Sequence, residues 1–248
     1  MSNYIFEICA NSAESVVQAQ LGGAQRVELC AGIPEGGTTP SYGEIKAALK
    51  YTAIDVNVII RPRAGDFLYT ERELEIMEYD IDVIRESGIH GVVFGCLTAD
   101  GEIDTAAMKR LMKHCKGLSV TFHRAFDVCR QPRLALEQII DLGCDRILTS
   151  GQQPNAQQGI PLIRELVEQA GHRIVIMPGC GINETNIGQI AAETGAREFH
   201  MSARSLYPSR MIYRNPQVSM GGTVMIDEYQ HSLTDAEKVK RTIAVLNK

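Results

Sequence analysis

Short apolar runs alternate along the whole chain with longer stretches in which apolar residues return every three or four positions. A run of four to seven apolar or β-branched residues between helical periodicities reads as a buried parallel strand. Such runs occupy about residues 4–9, 26–30, 56–61, 90–95, 118–124, 145–149, 173–177 and 197–202, and the helical patterns fall at about 12–21, 41–50, 71–87, 105–115, 132–142, 157–170, 183–194 and 235–246. Local chemistry marks several ends: Asn11 or Ser12 and Ser41 can cap, Gly22-Gly23 and Gly88 can stop, and Pro132 suits a first helical turn. Eight βα units in 248 residues predict one (β/α)8 TIM barrel over 1–248. A doubly wound open sheet is the alternative, although it seldom repeats the unit eight times. Residues 204–231 break the rhythm, and this irregular segment, with Tyr207, Met211, Ile212, Tyr213, Met220, Met225 and Tyr229, reads as a surface excursion, a lid or a subunit interface.

Alternation within the strands then separates side chains that face the helices from those that face the barrel axis. In Glu7-Ile8-Cys9-Ala10 and Glu28-Leu29-Cys30-Ala31 the apolar neighbours suit the helix layer, which turns Glu7, Cys9, Glu28 and Cys30 inward. A buried carboxylate needs a partner. Arg61 ends the third strand, His123 lies on the fifth, and His200 lies on the eighth with inward parity, so Glu7, Glu28, Arg61, His123 and His200 are the candidate catalytic set. Imidazoles with carboxylates can move protons, the arginine can clamp an anion, and the same groups can form a structural ion-pair network or hold a divalent metal. In the stretch from Val120 to Asp127, His123 is the inward residue, Arg124 has the opposite parity and Asp127 belongs to the loop beyond.

Two more patterns sit at strand ends. Gly179-Cys180-Gly181 before a helix, with Ser202-Ala203-Arg204 after strand eight, resembles the phosphate-binding end of many barrels, which makes Gly179, Gly181, Ser202 and Arg204 candidate anion-binding residues; tight turns alone would also use those glycines. Cys9, Cys30, Cys96 and Cys180 all fall at carboxyl ends of strands, where adjacent first and second strands can bring Cys9 and Cys30 together as soft metal ligands, or where they serve as small core residues. The loop from Arg61 to Tyr69 can close over a ligand or remain a solvated loop with a local Arg63–Asp66 pair.

Composition narrows the partners. With 44% hydrophobic and 22% charged residues the chain has material for a large core, and its net charge of 25 − 30 = −5, without basic clusters, advertises neither a nucleic-acid nor a membrane surface. A small molecule is the expected partner. The first residues lack a secretory pattern, and seven cysteines without a Cys-x-x-Cys pair suit reduced thiols in the cytoplasm.

Taken together, Glu7-Ile8-Cys9-Ala10, Arg26-Val27-Glu28-Leu29-Cys30, the segment from Arg61 to Phe67, the segment from Thr121 to Asp127, Leu148-Thr149-Ser150-Gly151, Gly179-Cys180-Gly181-Ile182 and the segment from His200 to Arg204 closely resemble the CutC family, named for copper homeostasis. The resemblance covers essentially the whole chain. It implies a cytoplasmic TIM barrel, a homodimer or other homo-oligomer, and copper as the metal, with Cys9 and Cys30 as its soft ligands. The residues themselves point at least as strongly to an enzyme or binder acting on a small phosphorylated or carboxylated metabolite, because the barrel mouth is polar and no methionine cluster is present.

Overall fold

In the computed structural model, which describes residues 4–220 and 226–247, the strand and helix series closes on itself. The barrel strands are β1 (Ile5–Ala10), β2 (Arg26–Leu29), β3 (Asp55–Ile59), β4 (Gly91–Phe94), β5 (Ser119–Phe122), β6 (Arg146–Thr149), β7 (Val175–Pro178) and β8 (Glu198–Met201). The helices between them are α1 (Ala13–Leu21), α2 (Tyr42–Tyr51), α3 (Glu71–Arg85), α4 (Thr105–Met112), α5 (Pro132–Asp141), α6 (Ile160–Ala170) and α7 (Ile187–Thr194). All strand pairs are parallel, in the order β7-β6-β5-β4-β3-β2-β1-β8. Among the described residues no ladder joins β7 to β8, so the (β/α)8 barrel is nearly closed, with one seam.

Helix starts follow their caps. Ser12, Ser41 and Asp104 each accept a hydrogen bond from a backbone N–H of the first turn, and Thr70 with Glu73 forms a capping box at α3. Leu74, Met77, Ile81 and Ile84 lie at helical spacing on the buried face of α3. The main apolar cluster fills the layer between helices and sheet, with Phe6, Ile8, Val27, Leu29, Val58, Phe94, Phe122 and Phe199 as its strand-borne members. The opposite parity fills the axis, and much of that set is polar: Glu7, Arg26, Asn57, Thr121, His200 and Glu198 are all buried.

Residues 204–231 are more ordered at their ends than periodicity predicts. Arg204–Pro208 forms β9 and Gln230–Thr234 forms β10, an antiparallel ribbon outside the barrel in which Ser205 faces Leu233; Ala236–Leu246 then forms α8. The ribbon gives no alternating signal because exposure changes along its length, with Leu206, Tyr207, Pro208, Gln230 and His231 exposed at one end and Thr234 buried at the other, rather than between its two faces. Met225 lies outside the described residues. Helix α7 begins later than residue 183 because Asn186 folds the preceding turn, accepting from Asn183 N and donating to Gly181 O. No helix among the described residues is long and apolar enough to cross a membrane.

Candidate functional site

Strand register decides which inward side chains meet. In the parallel ladder Glu7 stands beside Arg26 on one side and His200 on the other. Arg26 Nε donates to Glu7 Oε2 (2.5 Å) and its terminal nitrogen donates to Glu198 Oε2 (2.5 Å), which also accepts from Arg146 Nε (2.9 Å). Asn57 Nδ2 lies 3.4 Å from Glu7 Oε2. Burial opposes ionisation of Glu7, yet the Arg26 charge and the His200 hydrogen bond outweigh it and hold the carboxyl at about 2. Glu7 is therefore a locked carboxylate at the base of the site. Arg26, Arg146, Glu198 and Asn57 were readable from parity as inward residues, but their pairing depends on the register between strands.

One step nearer the carboxyl ends, His200 Nδ1 donates to Glu7 Oε1 (2.8 Å) while its Nε2 lies 3.6 Å from Glu28 Oε2. Burial pulls the imidazole toward neutrality, but hydrogen bonds to Cys9 and Glu7 and the charges of Glu28 and Glu7 raise it well above its ordinary value. Glu28 behaves in the opposite way from Glu7: burial pushes it up to about 8, with the neighbouring charges of Cys9 and Glu7 adding to the rise and His200 opposing it. Burial therefore favours its protonated form, a carboxylic acid that can donate a proton.

Cys9 and Cys30 bring their Sγ atoms to 3.5 Å. The hydrogen bond from Cys30, with His200 and Arg204 beside the sulfur, lowers the Cys9 pKa against the effect of burial; Cys30, donating to Cys9 and buried, is raised. The Arg204 terminal nitrogen lies 3.1 Å from Cys9 Sγ. The ligand atoms of Cys9, Glu28 and Cys30 all lie within 4.8 Å of one another, a group that could hold a metal ion. All seven cysteines are free.

These groups open on a cavity of about 540 Å³ at the carboxyl ends of the strands. Arg61, His123, Gly181, Ser202 and Arg204 also line it, whereas Gly179 packs beneath, where an added Cβ would meet Leu148 Cδ1 at 2.4 Å. Neither Arg61 nor His123 forms a hydrogen bond or ion pair with the two glutamates. Arg61 instead donates to the carbonyls of Glu35, Gly37 and Gly65, and His123 Nδ1 accepts from Ala125 N (3.3 Å). Burial and the Arg61 charge lower the His123 pKa to about 3, so its ring is neutral. Asp127 organises the rim: it accepts from Thr149 Oγ1, Ser150 N, Ser150 Oγ, Gln152 N and Arg124 Nε. Arg63 pairs with Asp66 (3.0 Å), as its spacing suggests, and with Glu73 (2.5 Å). Three non-glycine residues with left-handed backbone, Gln152, Cys180 and Ala203, follow β6, β7 and β8 around this mouth, where strained conformations commonly serve a site.

Residues 4–205 match the CutC family. A Parabacteroides distasonis protein named as a family protein CutC is 65% identical over 240 residues, covering 96% of this chain and 99% of that one. The human copper homeostasis protein cutC homolog is 48% identical over 244 residues, covering 98% of this chain and 89% of its own. A solved structure of a CutC protein from Streptococcus agalactiae superposes with a TM-score of 0.77 at 39% identity, over 80% of this chain and 98% of that one. The chain belongs to the CutC family.

Proposed function

We propose that the chain takes part in copper homeostasis by binding monovalent copper as cargo between Cys9 and Cys30. The observation that carries this reading is the 3.5 Å approach of the two Sγ atoms, with a carboxyl group of Glu28 in the same cluster. Monovalent copper is soft and prefers sulfur ligands, and Cys9 is already biased toward thiolate by Cys30, His200 and Arg204. Binding must displace the Cys30 proton, so affinity rises with pH. Titration of the reduced chain with cuprous ion against a chromophoric chelator tests the reading: one ion per chain is expected, lost in the Cys9→Ser/Cys30→Ser variant. Unchanged affinity and stoichiometry in that variant would rule these ligands out.

The same reading includes a reducing compartment, the cytoplasm, which suits seven unpaired cysteines, and self-association as a homodimer. Self-association is supported by the exposed apolar side chains of Leu206, Met211, Ile212, Tyr213 and Met220 on and beyond β9. Light scattering should return twice the 27.3 kDa chain mass, falling to one copy when Met211, Ile212 and Tyr213 are changed to serine; a monomeric parent chain would refute it.

A further inference from the structure

On the β3 and β5 side of the cavity, two buried groups lack the partners their chemistry requires. Arg61 is 5% exposed. One terminal nitrogen donates to Glu35 O (3.0 Å) and Gly37 O (2.7 Å), the other donates to Gly65 O (2.8 Å), and Nε has no partner. Carbonyl oxygens satisfy N–H groups but cancel no net charge, and no carboxylate among the described residues forms an ion pair with this guanidinium. Arg26, equally buried, holds two carboxylates. A buried cation is ordinarily paired, and Arg61 is not.

His123, 4% exposed, supplies the second group. Its Nδ1 accepts from Ala125 N, so the neutral ring carries its proton on Nε2, and that atom is buried without a partner. The Phe67 ring joins the two: its centroid is 4.7 Å from the His123 ring and 5.2 Å from Arg61 Cζ. A fixed cation and a neutral N–H donor on one wall of a cavity suit the oxygen atoms of an anion; a metal cation would be repelled there and a neutral ligand would leave the charge uncancelled.

We propose that Arg61 and His123 form the binding site for the oxyanion of a small metabolite, a carboxylate or phosphate group seated against Phe67 in the barrel cavity. The ligand supplies the counter-charge that the fold leaves out. This site uses no sulfur, so it stands or falls separately from copper binding by Cys9 and Cys30.

Calorimetric titration at low ionic strength with sodium phosphate and sodium oxalate, each up to about 10 mM, tests the site. Saturable binding of at least one probe is expected, with a matching rise in the thermal midpoint and a downfield shift of the His123 Nε2–H signal. The tighter probe identifies the ligand as phosphate or carboxylate. His123→Phe, which keeps an aromatic ring and removes the N–H, and Arg61→Gln should each weaken binding by about tenfold or more while leaving cuprous-ion stoichiometry unchanged. Absence of saturable binding by both probes overturns the proposal, as does wild-type affinity in His123→Phe. If Arg61→Gln does not fold, His123→Phe with the Nε2–H signal decides alone.

Discussion

Replacing Arg26 with methionine removes the centre of the ionic layer across the barrel axis. Glu7 loses its 2.5 Å partner and keeps His200 and Asn57; Glu198 loses another 2.5 Å contact and keeps Arg146. Removing one member of a buried pair leaves a desolvated charge and costs about 3–5 kcal/mol. Burial opposes ionisation of Glu7 and the Arg26 charge is the largest cause holding its carboxyl down, from the ordinary 4.5 to about 2, which agrees in direction with that cost. For a chain of this size that cost lowers the thermal midpoint by roughly 6–20 °C. The pH dependence sharpens the test. In the parent chain the folded carboxyl is more acidic than the unfolded one, so its contribution is complete above about 4.5 and drains away as pH falls toward 2. In the variant the Arg26 charge no longer opposes burial, so the folded carboxyl rises toward its unfolded value and less stability is lost on acidification. The gap between the two proteins, read from denaturant midpoints at a series of pH values, therefore narrows on acidification. A loss below about 1 kcal/mol, or a gap that does not change with pH, would refute the reasoning.

Other parts of the site predict separate outcomes. Cys9 should react with iodoacetamide well before Cys30 at neutral pH, and His200→Gln should move the midpoint of its pH–rate curve upward by about one pH unit or more, measured by peptide mass spectrometry. Asp127→Ala strips partners from Thr149, Ser150 and Gln152 at the rim and should cost about 2–4 kcal/mol in denaturant unfolding. Gly91→Ala would set a Cβ 2.5 Å from Asn57 Oδ1 and 2.6 Å from the Ser119 carbonyl, so a loss of about 1–3 kcal/mol or more is expected in thermal unfolding.

The eight-unit barrel is legible because each strand is apolar on its helix face and several helices carry their own caps, as Ser12, Ser41, Thr70 and Asp104 do. The inward direction of Glu7, Cys9, Glu28, Cys30 and His200 followed from alternation alone, and the structure brings these five together. What alternation does not contain is the stagger between neighbouring strands, and stagger selects Arg26 rather than Arg61 as the partner of Glu7. Arg61 was legible as an inward cation at a strand end, but its carbonyl partners come from Glu35, Gly37 and Gly65 in two loops that have no periodic signal. His123 was expected among the carboxylates; the turn that follows it instead engages Nδ1 through Ala125. The β9–β10 ribbon has no periodic signal because its burial runs from one end to the other and not from face to face.

Among the described residues β7 and β8 share no hydrogen-bond ladder, so packing alone closes the barrel there, as at the slot of a split ring. A continuous ring resists widening all around its rim, whereas a slotted one yields at its slot with every other joint intact. Gly179 ends one lip and His200 lies on the other, with the His200 Cβ already 3.3 Å from where a Gly179 side chain would begin. A slight parting of the lips would change the space beside His200 without cutting the ladder that holds β8 to β1, or the hydrogen bond from His200 to Glu7. The seam thus lies beside the sulfur and imidazole groups, while β3 and β5, which lead into Arg61 and His123, are paired on both sides.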